Sequence, residues 1–600
     1  LISERKKKLL FISFFALSCY AGWVFIQPLH SEKQSGDTQK ISSRNLTPPE
    51  VIYTKTRMPQ ILSTEERQRY KDIFLYQKEA EWSAADEQIA LLQSPILLGH
   101  IKAERLLHEK YKSSKEELLE WVESYPNLPE SYKIFRLAAK HKPELLKASY
   151  EIRKNYLFGY GDDFASTTGN TDDKYDAEYW EGHNRAQKVW GHIEKLLDQG
   201  RLVAAYKTVR GAKAKRWLSK EEQGDAQWNV ANAFLVRGKE KAAFSVIHSA
   251  GEEAWQEMPQ MQWIAGMIAW RTNDWPLAVR HFSDVANAKK LNKWENAAGA
   301  YWAFRAYREM KEFEKAREML ESAARFPRTF YGILATHALG KKPTFNWNSE
   351  PLTVDDIAML MQSPYVQRAL AFKELGYGKL AEKEIRKFFP KASEKTKRKL
   401  VAFARENNMP TLQVVMARRV AGGKGGHMDD ALNPIPLWKP ENGFKVNPSL
   451  LFAMIKKESG FNPTAKSHKN AIGLMQIKPD TAKYIQNKMK AESGAIDLTN
   501  PITNITLGQS YIQYLLRHPT VEGNVLFMLA AYNAGPGRLG EWLDEMEFEG
   551  DPLMFIEMLP VRETRDYVKQ AMANYWMYAD RLKEEGKSIE SLLQGRWPVY

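Results

Sequence analysis

Alanines stand at positions 205, 243, 278 and 316, and each is followed four residues later by a bulky apolar side chain: Val209, Ile247, Phe282 and Leu320. Their separations are 38, 35 and 38 residues. A spacing of four puts the small and the large residue on one helix face. A recurrence in the mid-thirties is the length of a helix pair that cannot bury its apolar face alone and so stacks on its own copies. Trp228, Trp263 and Trp294 fall between these positions, on the alternate helices of such a stack, and there they read as core. From about residue 60 to 345 the apolar pattern keeps a helical period with little strand alternation. The expectation is an all-α chain whose largest part is an α-superhelical solenoid.

Six hundred residues exceed one ordinary core, so several domains are expected. Residues 1–27 read as a signal or membrane anchor and 28–57 as a disordered tether rich in Ser, Gln, Lys and Pro. Residues 58–345 read as the superhelical domain, 346–430 as a small helical linker domain, and 431–600 as a mostly helical final domain. Gly422-Gly423-Lys424-Gly425-Gly426 marks the break before that last part. Gly159 to Tyr179, polar and rich in Gly and Asp, reads as a long surface loop without the acid spacing of a calcium loop.

Arg5-Lys6-Lys7-Lys8 precedes an apolar run from Leu9 to Ile26, the pattern of an exported chain. Three fates stay open for this segment: an uncleaved anchor in the inner membrane, a cleaved signal, or lipidation at Cys19. Cys19 is the only cysteine, so no intramolecular disulfide can form. The net charge is +14, yet residues from 435 onward carry equal numbers of acids and bases. The whole excess therefore lies upstream, where it either solvates helix faces or attracts an extended polyanion. Export argues against nucleic acid, and no aromatic-basic nucleic-acid motif is present. A cell-wall polymer bearing peptide carboxylates suits both the sign and the location.

Leu451, Met454, Ile455 and Glu458 stand at i, i+3, i+4 and i+7, which places a glutamate on the buried face of a helix. Burial raises a carboxyl above its reference of about 4.3, toward the value of about 6–7 that suits a general acid near neutral pH. Gly460 ends this helix, and Ser467 supplies a hydroxyl beyond it. Gly473 permits a tight backbone before Leu474-Met475-Gln476-Ile477, where Gln476 offers a donor and an acceptor to a sugar. Phe527 to Ala534 is an apolar helix with a polar tip, Tyr532-Asn533, stopped by Gly535-Pro536-Gly537. Arg562-Glu563-Thr564-Arg565-Asp566-Tyr567 opens what reads as a last helix.

In order and spacing, ES-x-F-x-P-x-A-x-S, GLMQI, AAYNAGPGR and ETRDYV resemble the soluble lytic transglycosylases of bacterial cell walls. Phe330-Tyr331-Gly332-Ile333-Leu334-Ala335 is similar to the end of that family's superhelical domain. The resemblance implies a superhelical ring, a small linker domain and a lysozyme-like catalytic domain. It implies a periplasmic enzyme cleaving the β-1,4 bond between N-acetylmuramic acid and N-acetylglucosamine, and leaving 1,6-anhydromuramic ends. By the same resemblance Glu458 is the sole catalytic acid and base. Ser467, Gln476, Tyr532 and Glu563 line the sugar cleft, and Asn533 and Tyr567 occupy motif positions of less defined role. Lys478 stands where relatives often carry an apolar residue, and Lys456 where they often carry arginine. Partners would be peptidoglycan glycan strands, with other wall enzymes as candidates and no nucleic acid. No cofactor is implied, and the histidines lack a metal-ligand pattern. Two rival readings remain: a hydrolase of the same bond, as in goose-type lysozymes, and a non-catalytic wall-binding scaffold.

Overall fold

Helices packed on their neighbours build most of the described residues of this chain, whose structure is a computed structural model. The described residues are 58–159, 177–249, 258–348, 350–421, 427–488 and 496–600. Residues 9–26 with Cys19, the 28–57 segment, the glycine break at 422–426 and most of the 159–179 stretch lie outside them. Among the described residues no helix is long and apolar enough to cross a membrane. Their regular structure is helical, as expected, with only isolated bridges such as Lys466–Ile472 and Ile472–Ile477.

The repeat has the physical meaning its spacing suggests. Ala205, Ala243, Ala278 and Ala316, with Val209, Ile247, Phe282 and Leu320, are all buried. They lie on the second helices of successive pairs: Leu202–Arg210, Glu240–His248, Trp275–Asn287 and Phe313–Ala324. The intervening first helices are Lys220–Leu235, Gln260–Arg271 and Lys293–Glu309. Ser219 and Glu222 close a capping box at the start of one, and Asn292 and Glu295 do the same for another. Each such cap is worth about 0.5–2 kcal/mol and fixes where the helix begins.

Of the three tryptophans on these first helices, one lies in the core as expected and two depart from it. Trp228 is buried, but Trp263 and Trp294 are only half-buried. All three face a chamber of about 480 Å³ whose far wall is the Arg562–Arg581 helix. Periodicity assigned them to the array's own core because it could not show that another part of the chain lies opposite.

A second hydrophobic cluster joins distant stretches. Leu62, Tyr70, Ile73, Phe74, Leu97 and Ile101 share a core with Val366, Leu370, Phe372, Ile385, Phe403 and Leu412. The amides of Ile61 and Leu62 donate to the Glu374 carboxylate, at 2.7 and 3.0 Å. His100 bridges Glu130 and Glu384 at the same junction, 3.0 Å from each. The first described helices thus pack on helices of the 354–421 stretch.

The array meets the final part of the chain at several places, among them the Phe330–Ala338 helix and Asn232, whose Oδ1 accepts from buried Arg565 at 2.7 Å. Phe330 stacks on Trp576 with centroids 5.0 Å apart. Trp302 Nε1 donates to the Tyr331 hydroxyl at 3.0 Å, and that hydroxyl donates to Glu557 at 2.7 Å. Trp302 and Tyr331 are fully buried, and each such side chain contributes about 1.5–3 kcal/mol of apolar burial. The Arg562–Arg581 helix is not the last, since one more short helix, Lys587–Leu593, follows it.

Candidate active site

The Pro448–Ser459 helix starts with Asn447 accepting from the Leu450 amide and Pro448 in its first turn. Every residue from Pro448 to Ile455 is buried, so the helix runs through the core of its domain. Glu458, one turn after Met454 and Ile455, is half-buried where the helix emerges. Gly460 (φ 54°) and Phe461 (φ 69°) then turn the chain away, as the glycine had suggested. The Ser459 hydroxyl donates to Leu474 O at 2.7 Å and so ties the end of the helix to the loop that faces it. Lys456 Nζ donates to Asn433 Oδ1 at 2.7 Å, holding the same turn from the other side.

That loop is a small bridged knot. Ile472 and Ile477 exchange backbone hydrogen bonds of 3.0 Å, and the Gly473 amide donates to Ala465 O at 2.9 Å. The Ser467 hydroxyl accepts from the Ala471 amide at 3.0 Å. Gly473 has φ +84°, and a Cβ there would lie 2.2 Å from both Asn504 Nδ2 and Leu498 O. Asn504, fully buried, organises the turn: its Nδ2 donates to Ile472 O and Leu498 O, and its Oδ1 accepts from the Met475 amide. Gln476, also at positive φ, spends its Nε2 on Ala465 O and Gly473 O. Its amide nitrogen therefore shapes the loop, and the side-chain carbonyl is the group left for a ligand.

Two helix ends complete the enclosure. Tyr532, near the end of Val525–Ala534, donates its hydroxyl to Met475 O at 2.8 Å. Burial first, then the neighbouring Glu458 charge, push that phenol well above its usual value, so it stays protonated. Asn533 Oδ1 accepts from the Thr564 hydroxyl at 2.6 Å, pinning the helix tip to the Arg562–Arg581 helix. Gly535 then breaks the helix, but Pro536 begins another at once, Pro536–Glu545. Tyr567 is buried, with the Lys457 ammonium 6.0 Å from its ring centroid, whereas Glu563 is exposed.

Glu458, Ser467, Gln476, Tyr532, Asn533, Glu563 and Tyr567 all line one cavity of about 590 Å³. Lys478, exposed, stands on the same wall. Sequence reasoning missed Tyr511, whose ring lies 5.3 Å from that of Tyr532 and whose burial pushes its phenol up to about 12. It also missed the positioning roles of Thr564 and Asn504. Thr564 lay inside a quoted motif, but Asn504 gave no local signal, because its partners are 6 to 32 residues away. Lys457, Lys469, Lys478 and Arg538 outnumber the carboxylates of Glu458 and Glu563 on the cavity wall, so its surroundings favour an anionic ligand.

An acid at the mouth of a buried helix, a glycine-pinned loop and a tyrosine bound to that loop make up the site, and most of it falls in a stretch that matches a known family model. Residues 437–554 match the transglycosylase SLT domain. The particular resemblance is to soluble lytic murein transglycosylases: those of Salmonella typhimurium and Escherichia coli K12 are each 31% identical over 295 residues, 48% of this chain and 43% of theirs. The chain thus aligns with less than half the length of these curated relatives. Among solved structures, the 70 kDa soluble lytic transglycosylase from Escherichia coli matches with a TM-score of 0.58 at 19% identity, covering 90% of this chain and all of that one. Its complex with bulgecin A matches with a TM-score of 0.57. These likenesses show the fold: a superhelical array joined to a lysozyme-like helical domain.

Proposed function

We propose that this chain is a lytic transglycosylase acting on peptidoglycan outside the cytoplasm, with Glu458 as its single acid and base. The observation that carries the reading is the placement of Glu458 on a cleft within an SLT domain, beside Tyr532 and opposite the loop that holds Gln476. Protonated Glu458 donates its proton to the oxygen leaving C1 of N-acetylmuramic acid. The substrate's own acetamido group stabilises the cation developing at C1. The ionised carboxylate then removes the proton from the C6 hydroxyl, whose oxygen closes on C1 to give the 1,6-anhydro ring and regenerates the acid. An internal nucleophile has a large effective molarity, so the step needs no second enzyme carboxylate. Gln476 and Ser467 bind the sugar, Glu563 and Tyr567 border it, and Asn533 holds the Tyr532 turn in place. The lysines around the cleft suit a polymer whose peptides carry carboxylates.

Mass spectrometry of products from purified sacculi tests this directly. The expected fragments end in anhydromuramic acid, one water lighter than reducing ends. Reducing ends would make the chain a hydrolase, and absence of cleavage would make it a binding protein. Glu458→Gln keeps the side-chain volume and removes the proton, so it should abolish cleavage while leaving binding to sacculi intact. Fractionation of the full chain tests the address: a membrane pellet released by detergent supports the anchor, and a shortened soluble form supports a cleaved signal.

A further inference from the structure

Arg237, Arg271 and Arg305 are each 34 residues apart, one from each of three successive helix pairs. Arg237 lies just past the Lys220–Leu235 helix, Arg271 closes Gln260–Arg271, and Arg305 lies about one turn before the end of Lys293–Glu309. All three reach the same short segment of the final domain. Arg237 pairs with Glu545 at 3.8 Å, Arg271 with Glu547 at 3.2 Å, and Arg305 with Asp551 at 2.5 Å. Arg271 also donates to Glu547 O at 2.6 Å and is held from behind by Glu240 at 2.7 Å. Arg305 is set by the faces of Trp270 and Trp302, 4.6 and 4.4 Å from their ring centroids.

The partner segment is patterned to match. In Glu545-Met546-Glu547-Phe548-Glu549-Gly550-Asp551, acids and apolar residues alternate up to Phe548. Met546 is buried, and Phe548 packs on Phe555 and Trp597, with centroids 5.6 and 5.9 Å apart. A period of two sends the apolar side chains into their own domain and the acids outward, toward the arginines. The two ends of this interface thus differ in kind. At the Phe330–Ala338 end the contact is mainly aromatic, whereas at the ladder end it is made of charges, and two of its three acids reach solvent: Glu547 is 74% exposed and Glu545 55% at the side chain, against 23% for Asp551. Exposed pairs are weak one at a time and screened by salt. The tryptophan-lined chamber is bordered by Tyr331 of the Phe330–Ala338 helix and shares Lys457 and Glu563 with the cleft of Glu458.

We propose that this arginine ladder is an interaction surface for the chain's own acidic edge, Glu545–Asp551, and acts as a latch: the final domain is fixed at the Phe330–Ala338 helix and opens at the ladder, admitting ligand to the chamber beside the cleft. The proposal rests on the interface alone and holds whichever bond the cleft breaks. None of the three arginines lines the cleft of Glu458.

Hydrogen exchange by mass spectrometry on the full chain tests it, with peptides spanning 541–555 and the chamber wall at 557–570. Arg271→Glu and Glu547→Arg should each raise exchange in both peptides about fivefold, the factor that about 1 kcal/mol of lost pairing gives. The double reversal, Arg271→Glu with Glu547→Arg, should return exchange to the parent rate. Raising salt toward 1 M, where the Debye length is about 3 Å, should open the parent and leave the single variants unchanged. If Arg271→Glu fails to fold, the Arg237→Glu and Glu545→Arg pair serves, since both of its ends are more exposed than Arg271. Parent-like exchange in the folded single variants, or a double reversal as open as the singles, would overturn the latch. Faster exchange in the 330–338 peptide as well would show that the whole interface parts, and would overturn the fixed end.

Discussion

Replacing Gly473 with alanine should damage the loop opposite Glu458 more than its single added methyl suggests. Two costs combine. The backbone sits at φ +84°, where an L-residue loses about 1–2 kcal/mol. The new Cβ would also stand 2.2 Å from Asn504 Nδ2 and Leu498 O, so one of them must move. Asn504 is fully buried and makes three hydrogen bonds, to Ile472 O, Leu498 O and the Met475 amide. Displacing it leaves at least one buried polar group unpaired, at about 1–3 kcal/mol. The total is about 2–5 kcal/mol, comparable to the low end of a domain's whole stability. Gly443 supplies the control, because its φ of +72° is similar while nothing lies within 4 Å of its Cβ. Gly443→Ala should therefore show the backbone cost alone. Denaturant midpoints of the two variants, with exchange of the Met475 amide as the local reading, separate the contributions. Activity should fall in Gly473→Ala, since Met475 O holds Tyr532 and the same turn carries Gln476. Equal midpoints for the two variants, with slow Met475 exchange in both, would refute the packing argument.

Tyr532→Phe removes the 2.8 Å bond to Met475 O and should cost about 0.5–1.5 kcal/mol of stability, with a fall in turnover on sacculi larger than any fall in binding. Thr564→Val strips the donor from Asn533 Oδ1 and should cost about 1–3 kcal/mol, whereas Thr564→Ser should recover most of it in the same denaturation assay. His100 gives a pH signature: burial alone pulls its pKa down, but Glu130 and Glu384 on either side outweigh that and push it up to about 9. Because the folded value exceeds the reference of about 6.5, its stabilisation is complete below about pH 6.5 and lost as pH rises through about 9. Melting temperatures measured across that window should fall in the parent, and His100→Gln should be lower at neutral pH and flatter above it.

The sequence by itself determined what is local. Ala205, Ala243, Ala278 and Ala316 announced stacked helices, because a small residue facing a large one at helical spacing has one way to be buried. Glu458 announced itself by standing where three apolar residues predict a buried face, and Gly460 and Gly473 marked turns that need positive φ. Tertiary structure decided everything that depends on which surfaces meet. The half-burial of Trp263 and Trp294 follows from the helix that stands across the chamber, 268 to 299 residues further along the chain for the Arg562 end. Asn504 became the pin of the Gln476 loop only once Pro501–Leu516 lay behind it. The arginines at 237, 271 and 305 look like ordinary solvated charges until the acidic edge at 545–551 is set beside them. Periodicity reports which face of a helix is buried, because that follows from 3.6 residues per turn; it carries no record of what lies against that face, because that contact is closed by chain hundreds of residues away.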